Sequence, residues 1–185
     1  LEFRRVLFRS SDGTTLQEML LDFDGASNTR AGNGIIVGNE TSTSVNNVQL
    51  NNLEIKVGSG KTGITSFQGV DITGLRINTN TGKITGNSTT LETGIDLSGS
   101  NTGSNITISN TPLENLKFGI KVGESTNTTT TTNVTLQSNS FVTSDYDVIV
   151  GFNVNLATSG NPSGLNWLTN NRSEEHTSEL QSPDH

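Results

Sequence analysis

Asn105-Ile106-Thr-Ile108-Ser-Asn110-Thr-Pro-Leu113 is followed by Gly119-Ile120-Lys-Val122. The same frame returns as Asn133-Val134-Thr-Leu136-Gln-Ser138-Asn-Ser-Phe141, followed by Asp147-Val148-Ile-Val150. Apolar and polar residues alternate with a period of two, the signature of a strand with one face inward and one outward. Each short strand ends on Asn, Gly or Ser, residue types that accept the left-handed backbone of a tight corner. Upstream the frame is read as Val70-Asp-Ile72-Thr-Gly74-Leu-Arg-Ile77 with Gly94-Ile95-Asp-Leu97, and as Val48-Gln-Leu50-Asn-Asn52-Leu-Glu-Ile55 with Gly63-Ile64-Thr-Ser66. Weaker copies begin at Leu21 and Val154, so that repeat starts fall 20 to 36 residues apart. One unit is too small to bury its apolar face alone, and stacked units share one continuous core.

Equivalent positions then stack about 4.8 Å apart. Three apolar columns are expected: Leu21, Val48, Val70, Ile106, Val134, Val154; Phe23, Leu50, Ile72, Ile108, Leu136, Leu156; and Ile35, Ile64, Ile95, Ile120, Val148, Leu165. A corner column runs Gly25, Asn52, Gly74, Asn110, Ser138, Thr158. Its Asn residues are not adjacent, and no long Asn ladder is expected. On the outside, Glu54 is expected beside Arg76 and Asp96 beside Lys121. Residues 78–93 read as a long polar insertion, and residues 123–132 as a loop carrying a Thr run.

This pattern resembles the right-handed parallel β-helix of the pectin-lyase-like superfamily, carried by residues 105–110 and 133–138 with their following Gly-Ile-x-Val and Asp-Val-Ile-Val strands. The resemblance spans most of residues 20–168. It implies an all-β, right-handed, single-stranded parallel β-helix (a solenoid) of about six coils. The scaffold hosts lyases, hydrolases, adhesins and phage tailspikes, so it implies no single activity.

The ends read differently. Residues 1–10 can be encoded by CTGGAGTTCAGACGTGTGCTCTTCCGATCT, and the reverse complement of that string encodes residues 172–181. One DNA word on opposite strands writes both ends and resembles a sequencing-library adapter. The expected organisation is therefore 1–10 adapter-derived, 11–171 parallel β-helix fragment, and 172–185 adapter-derived, segments to be set aside before fold reasoning. Both His residues, His176 and His185, fall in that tail. Removing Arg4, Arg5, Arg9 and Arg172 from the 11 basic residues, and Glu2, Glu174, Glu175, Glu179 and Asp184 from the 18 acidic ones, leaves 7 and 13, a net charge of −6.

Absence of Cys excludes disulfide scaffolds, Cys-based zinc sites and thiol nucleophiles. Modest acidity argues against nucleic acid as a partner, and no apolar run is long enough to cross a membrane as a helix. The weak catalytic candidates are Asp22, Asp24 and Asp71. Asp22 and Asp71 are expected on one outward column with Gln49, Thr107 and Thr135, while Asp24 belongs to the next with Asn51, Thr73, Ser109 and Gln137. Paired carboxylates suit glycoside hydrolysis, but two rungs separate Asp22 from Asp71 and no His is at hand. The hydrolase motifs that the resemblance implies are missing. Asp22-Phe-Asp24-Gly25 echoes a calcium loop without the further ligands. No cofactor is expected, calcium being the single ion considered. Asp145-Tyr-Asp147 reads as a corner rather than a ligand pair. Lys61 in Gly58-Ser-Gly-Lys-Thr-Gly63 fails the phosphate-loop spacing. Trp167 is expected inward, as core or cap, with a sugar-stacking platform as the alternative.

The leading expectation is a non-enzymatic, secreted or cell-surface segment, bacterial and adhesin- or autotransporter-passenger-like. Its partners would be polysaccharides or surface glycans, besides neighbouring coils of a longer chain. The alternatives are a fragment of a polysaccharide lyase or glycoside hydrolase, and a structural stalk or tailspike shaft.

Overall fold

The computed structural model describes residues 13–22, 33–38, 43–86, 91–100, 102–123 and 132–169. Residues 1–12 and 170–185 lie outside that set, as do Phe23, Asp24, Gly25 and most of the Thr run. Among the described residues every regular element is a strand. The order is β1 (Thr15–Gln17), β2 (Leu20–Asp22), β3 (Ile35–Val37), β4 (Ser44–Asn46), β5 (Gln49–Asn51), β6 (Glu54–Val57), β7 (Thr62–Ser66), β8 (Asp71–Thr73), β9 (Arg76–Asn78), β10 (Ile84–Gly86), β11 (Thr93–Asp96), β12 (Thr102–Ser109), β13 (Pro112–Val122), β14 (Thr132–Gln137), β15 (Ser140–Val150), β16 (Val154–Ser159) and β17 (Trp167–Thr169).

All pairings are parallel and all join one coil to the next, which makes the chain a parallel β-solenoid. A coil has four arms. Arms a and b build an eight-stranded sheet along the path β1-β5-β9-β12-β14-β16, with β4 and β8 beside it; we call it sheet A. Arms c and d build a nine-stranded sheet, sheet B. Three successive coils, 44–66, 71–96 and 102–122, carry all four arms among the described residues. About three complete coils therefore replace the about six that the repeat starts suggest, and the flanking strands form partial coils. In β14 arm a shrinks to Thr132, because the corner residue Asn105 of β12 has no counterpart there and the register shifts between Gly103 and Ile106.

Corners explain the Asn and Gly usage. Asn47, Gly74 and Asn105 turn arm a into arm b, with φ of 55°, 70° and 54°. Glu18, Asn52, Asn110, Ser138 and Gly160 turn arm b into arm c, all with positive φ. Corner backbone is tied across coils: Asn47 N–H donates to Thr73 C=O, Gly74 to Ser104 and Asn110 to Gln137. The expected single corner column is thus two columns; Gly74 belongs to the first, and Gly160 takes the place assigned to Thr158.

The core columns follow the same correction. Ile35, Ile64, Ile95, Ile120 and Val148 stack as expected, and the sixth place belongs to Trp167 rather than Leu165. Ile64, Ile95, Ile120 and Val148 are wholly buried, each such side chain stabilising the fold by about 1.5–3 kcal/mol. The other two expected columns are redistributed. Leu50 stacks between Leu16 and Ile77, and the column continues through Ile108 and Leu136 to Thr158. Ile72 lies between Val45 and Gly103, Leu21 opposite Ile55, and Leu156 opposite Val134. Val70 precedes β8 and is buried, but it does not stack on Ile106. The supposed insertion 78–93 contains a core strand, since Ile84 of β10 pairs with Ile55 and Leu113.

The glycine before arm d has a packing cause. A Cβ on Gly63 would stand 2.8 Å from the Gly94 carbonyl oxygen, one on Gly94 2.7 Å from that of Gly119, and one on Gly119 2.5 Å from that of Asp147. Each glycine lets one coil close onto the next at a point where any side chain would collide with backbone.

Candidate functional site

Sheet A turns two long polar columns outward. The first runs Thr15, Gln49, Arg76, Thr107, Thr135, Ala157, and the second Gln17, Asn51, Asn78, Ser109, Gln137, Ser159. Strand alternation places both columns on the face opposite Leu50, Ile77, Ile108 and Leu136, which are turned inward and buried. On arm a, Thr73 Oγ1 lies 3.1 Å from Ser104 Oγ. Nearer the last coil, Asn155 Nδ2 donates to Asn133 Oδ1 at 3.0 Å. Asn105, Asn133, Thr135, Asn155 and Ala157 rim an open trough of about 440 Å³ above Val134, Val154 and Leu156. The surface offers amides and hydroxyls at the interstrand repeat of about 4.8 Å, chemistry that hydrogen-bonds polyols without demanding charge.

The carboxylate candidates do not converge on it. Asp22 lies on β2 of sheet B and Asp71 on β8 of sheet A, so the column expected to hold both does not exist. The position opposite Gln49 and Thr107 belongs to Arg76. Thr73 likewise leaves the column of Asn51, Ser109 and Gln137, where Asn78 stands instead. Asp24 is outside the described residues. Among the described residues no three His, Asp or Glu side chains gather as a metal would require.

Carboxylates on sheet B instead meet lysines one coil away. Asp22 pairs with Lys56 at 3.0 Å, Glu114 with Lys83 at 2.9 Å, Asp145 with Lys117 at 3.6 Å and Asp96 with Lys121 at 3.7 Å. The Asp96–Lys121 neighbourhood matches the sequence expectation. Glu54 does not reach Arg76, because it sits on arm c of sheet B, where its charge adds to the field at Lys83. The hydrogen bond to Glu114, and then its charge, raise the Lys83 ammonium above its ordinary pKa of 10.5.

Asp147, read from the repeat as a corner, lies inside the continuous strand β15 and takes the place of Gly119 one coil on. Its carboxylate accepts the Thr143 hydroxyl at 2.7 Å and the Asn166 N–H at 2.8 Å. Lys61 closes a turn, its N–H donating to Gly58 C=O at 3.0 Å. Beside Asp145, the Phe118 and Tyr146 rings stack nearly parallel, and Lys121 Nζ stands 4.5 Å from the Phe118 centroid. Trp167 occupies an inward register position but is 36% exposed, since β17 is the last strand on its path. With Leu165 it lines a shallow hollow of about 260 Å³ that also includes Asn161 and Pro162.

The sequence reading missed two features: the trough around Asn133 and Asn155, and a pair of amides at the arm b to arm c corner, Asn139 buried and Asn161 half-buried. Asn139 Oδ1 accepts the Thr111 N–H at 3.1 Å, and its Nδ2 donates to Ile108 C=O at 2.9 Å. Asn161 repeats the arrangement one coil on, toward Asn139 N–H and Leu136 C=O. The visible signal was the pair Ser138-Asn139 and Gly160-Asn161, a corner residue followed each time by Asn.

Compared with protein-family models, curated proteins and solved structures, the chain finds no match.

Proposed function

We propose that this solenoid is a non-enzymatic, secreted or cell-surface module of the right-handed, pectin-lyase-like kind, bacterial and adhesin-like, which contacts glycans through the outward face of sheet A. The observation that carries the reading is a division of labour between the two sheets. On sheet B, Asp22, Asp96, Glu114 and Asp145 are engaged with lysines of neighbouring coils, an arrangement that holds coils in register. Sheet A presents in-register amides and hydroxyls, a surface for many weak contacts that gain strength by repetition. The adapter reading of residues 1–10 and 172–185 belongs to this proposal, and it keeps both histidines out of any site.

The test is a polysaccharide panel assayed for binding and for turnover, with and without calcium. Binding without release of sugar products is the expected result. Turnover that disappears in Asp71→Ala would replace the reading with a polysaccharide-active enzyme. Absence of binding to every member of the panel would leave a structural shaft.

A further inference from the structure

The six described cationic side chains divide unequally. Lys56, Lys83, Lys117 and Lys121 lie on or beside sheet B strands, and each has a carboxylate of an adjacent coil within 4.0 Å. Lys61 lies in the turn between β6 and β7. Arg76 is the one cation on the strands of sheet A among the described residues, and it is exposed. The carboxylate that repeat spacing assigned to it, Glu54, is on the other sheet, and no described side chain forms an ion pair with Arg76. Its column neighbours are Gln49 and Thr107, and Asn78 stands two residues along its strand. β9 is flanked by β5 and β12, which fix the base of this side chain within the sheet.

We propose that Arg76 is the recognition point for an anionic substituent, a carboxylate or a sulfate ester, on a glycan lying along sheet A. This rests on the reading of sheet A as the glycan-facing surface and names the chemical class that it selects. A guanidinium carries five donors in a planar fork that matches the oxygens of such groups. Gln49 and Thr107 supply neutral donors one coil to either side. The protein's net charge of −7 opposes general attraction of polyanions. Anion binding by this chain therefore depends on a local cation, and a single guanidinium gives weak, salt-sensitive attachment.

Three polymers with one backbone test it: dextran, carboxymethyl-dextran and dextran sulfate, immobilised and probed with the full chain at low and high salt. The expected result is retention on one or both anionic polymers, little on dextran, and at least a fivefold loss in Arg76→Gln. Arg76→Lys keeps the charge without the fork and should fall between. Lys61→Gln removes the other described cation lacking an ion pair and should bind as the parent does. Thermal melts of each variant verify folding. The two anionic arms separate carboxylate from sulfate recognition. Equal binding to all three polymers, unchanged in Arg76→Gln, overturns the role of Arg76 and leaves the glycan-facing reading standing. Anionic binding that persists in Arg76→Gln also overturns it. Binding to none overturns both.

Discussion

At the scale of single residues, the buried amide of Asn139 does work that no neighbour can replace. It satisfies one backbone donor and one backbone acceptor of the preceding coil while being 1% exposed. Asn139→Ala leaves the Thr111 N–H and the Ile108 C=O without that partner in a water-poor corner. The expected loss is about 2–4 kcal/mol of unfolding free energy, read as a lowered urea midpoint. Asn155→Ala, at an exposed amide contact, should cost less than about 0.5 kcal/mol. Equal effects of the two would contradict the account. The sequence did not announce this ladder because the residue after the corner is Leu53 in one coil, Thr111 in another, and Asn only at positions 139 and 161. Asn52 and Asn110, which look like ladder residues, are corner residues with left-handed backbone.

At the scale of elements, arm d was legible through five of its six places and arms a and b were not. The Gly before Ile64, Ile95 and Ile120 marks a unique place in the coil, and the column built on it is correct up to Val148. Arms a and b share a five-residue cadence, three strand residues, a corner and one linking residue, visible in Asn47 and Asn52 and again in Asn105 and Asn110. Such a pattern looks alike after a slip of one corner. Val70-Asp-Ile72 therefore reads as the equivalent of Val48-Gln-Leu50, although Ile72 stacks on Val45 and Ile77 on Leu50. The same slip produced the false Glu54–Arg76 pair and misplaced Asp71, while Asp22 belongs opposite Lys56 on sheet B, so the site inherited the errors of the register. Hydrophobic alternation fixes the face of each residue but not which corner comes next.

Sheet B offers a pH test at this scale. Lys83 has a raised pKa in the folded chain, so its pairing with Glu114 stabilises the fold below the unfolded pKa of about 10.4 and is lost as pH rises through the folded value. Both side chains are more than a third exposed, which limits the pair to about 1 kcal/mol or less. The difference in melting temperature between the parent and Lys83→Met should stay constant from about pH 7 to about pH 9.5, then close at higher pH. A difference that persists at pH about 12 would mean that the methylene packing of Lys83, not its charge, matters.

At the scale of the whole molecule, each coil is held mainly by its two neighbours. The central coils have both, and the strands β1 to β4 and β16 to β17 have strand partners on one side among the described residues. Backbone amides of Ile64, Ile95 and Ile120 should therefore exchange with solvent most slowly, and those of β1 and β17 at least about tenfold faster. Hydrogen exchange followed by mass spectrometry reads this gradient, and uniform protection from end to end would argue for a single cooperative unit.

The parallel ladders also give the molecule a mechanical grain. The covalent chain circles the long axis, whereas the forces joining successive levels are hydrogen bonds and side-chain packing. A pull across the axis loads the backbone itself. A pull along it loads one rung at a time, so the solenoid should lengthen in steps. Freeing the coil between the stacked positions Val45 and Ile72, a spacing of 72 − 45 = 27 residues, would release about 90 Å of slack chain, making the fold a spring that yields one turn after another rather than breaking at once.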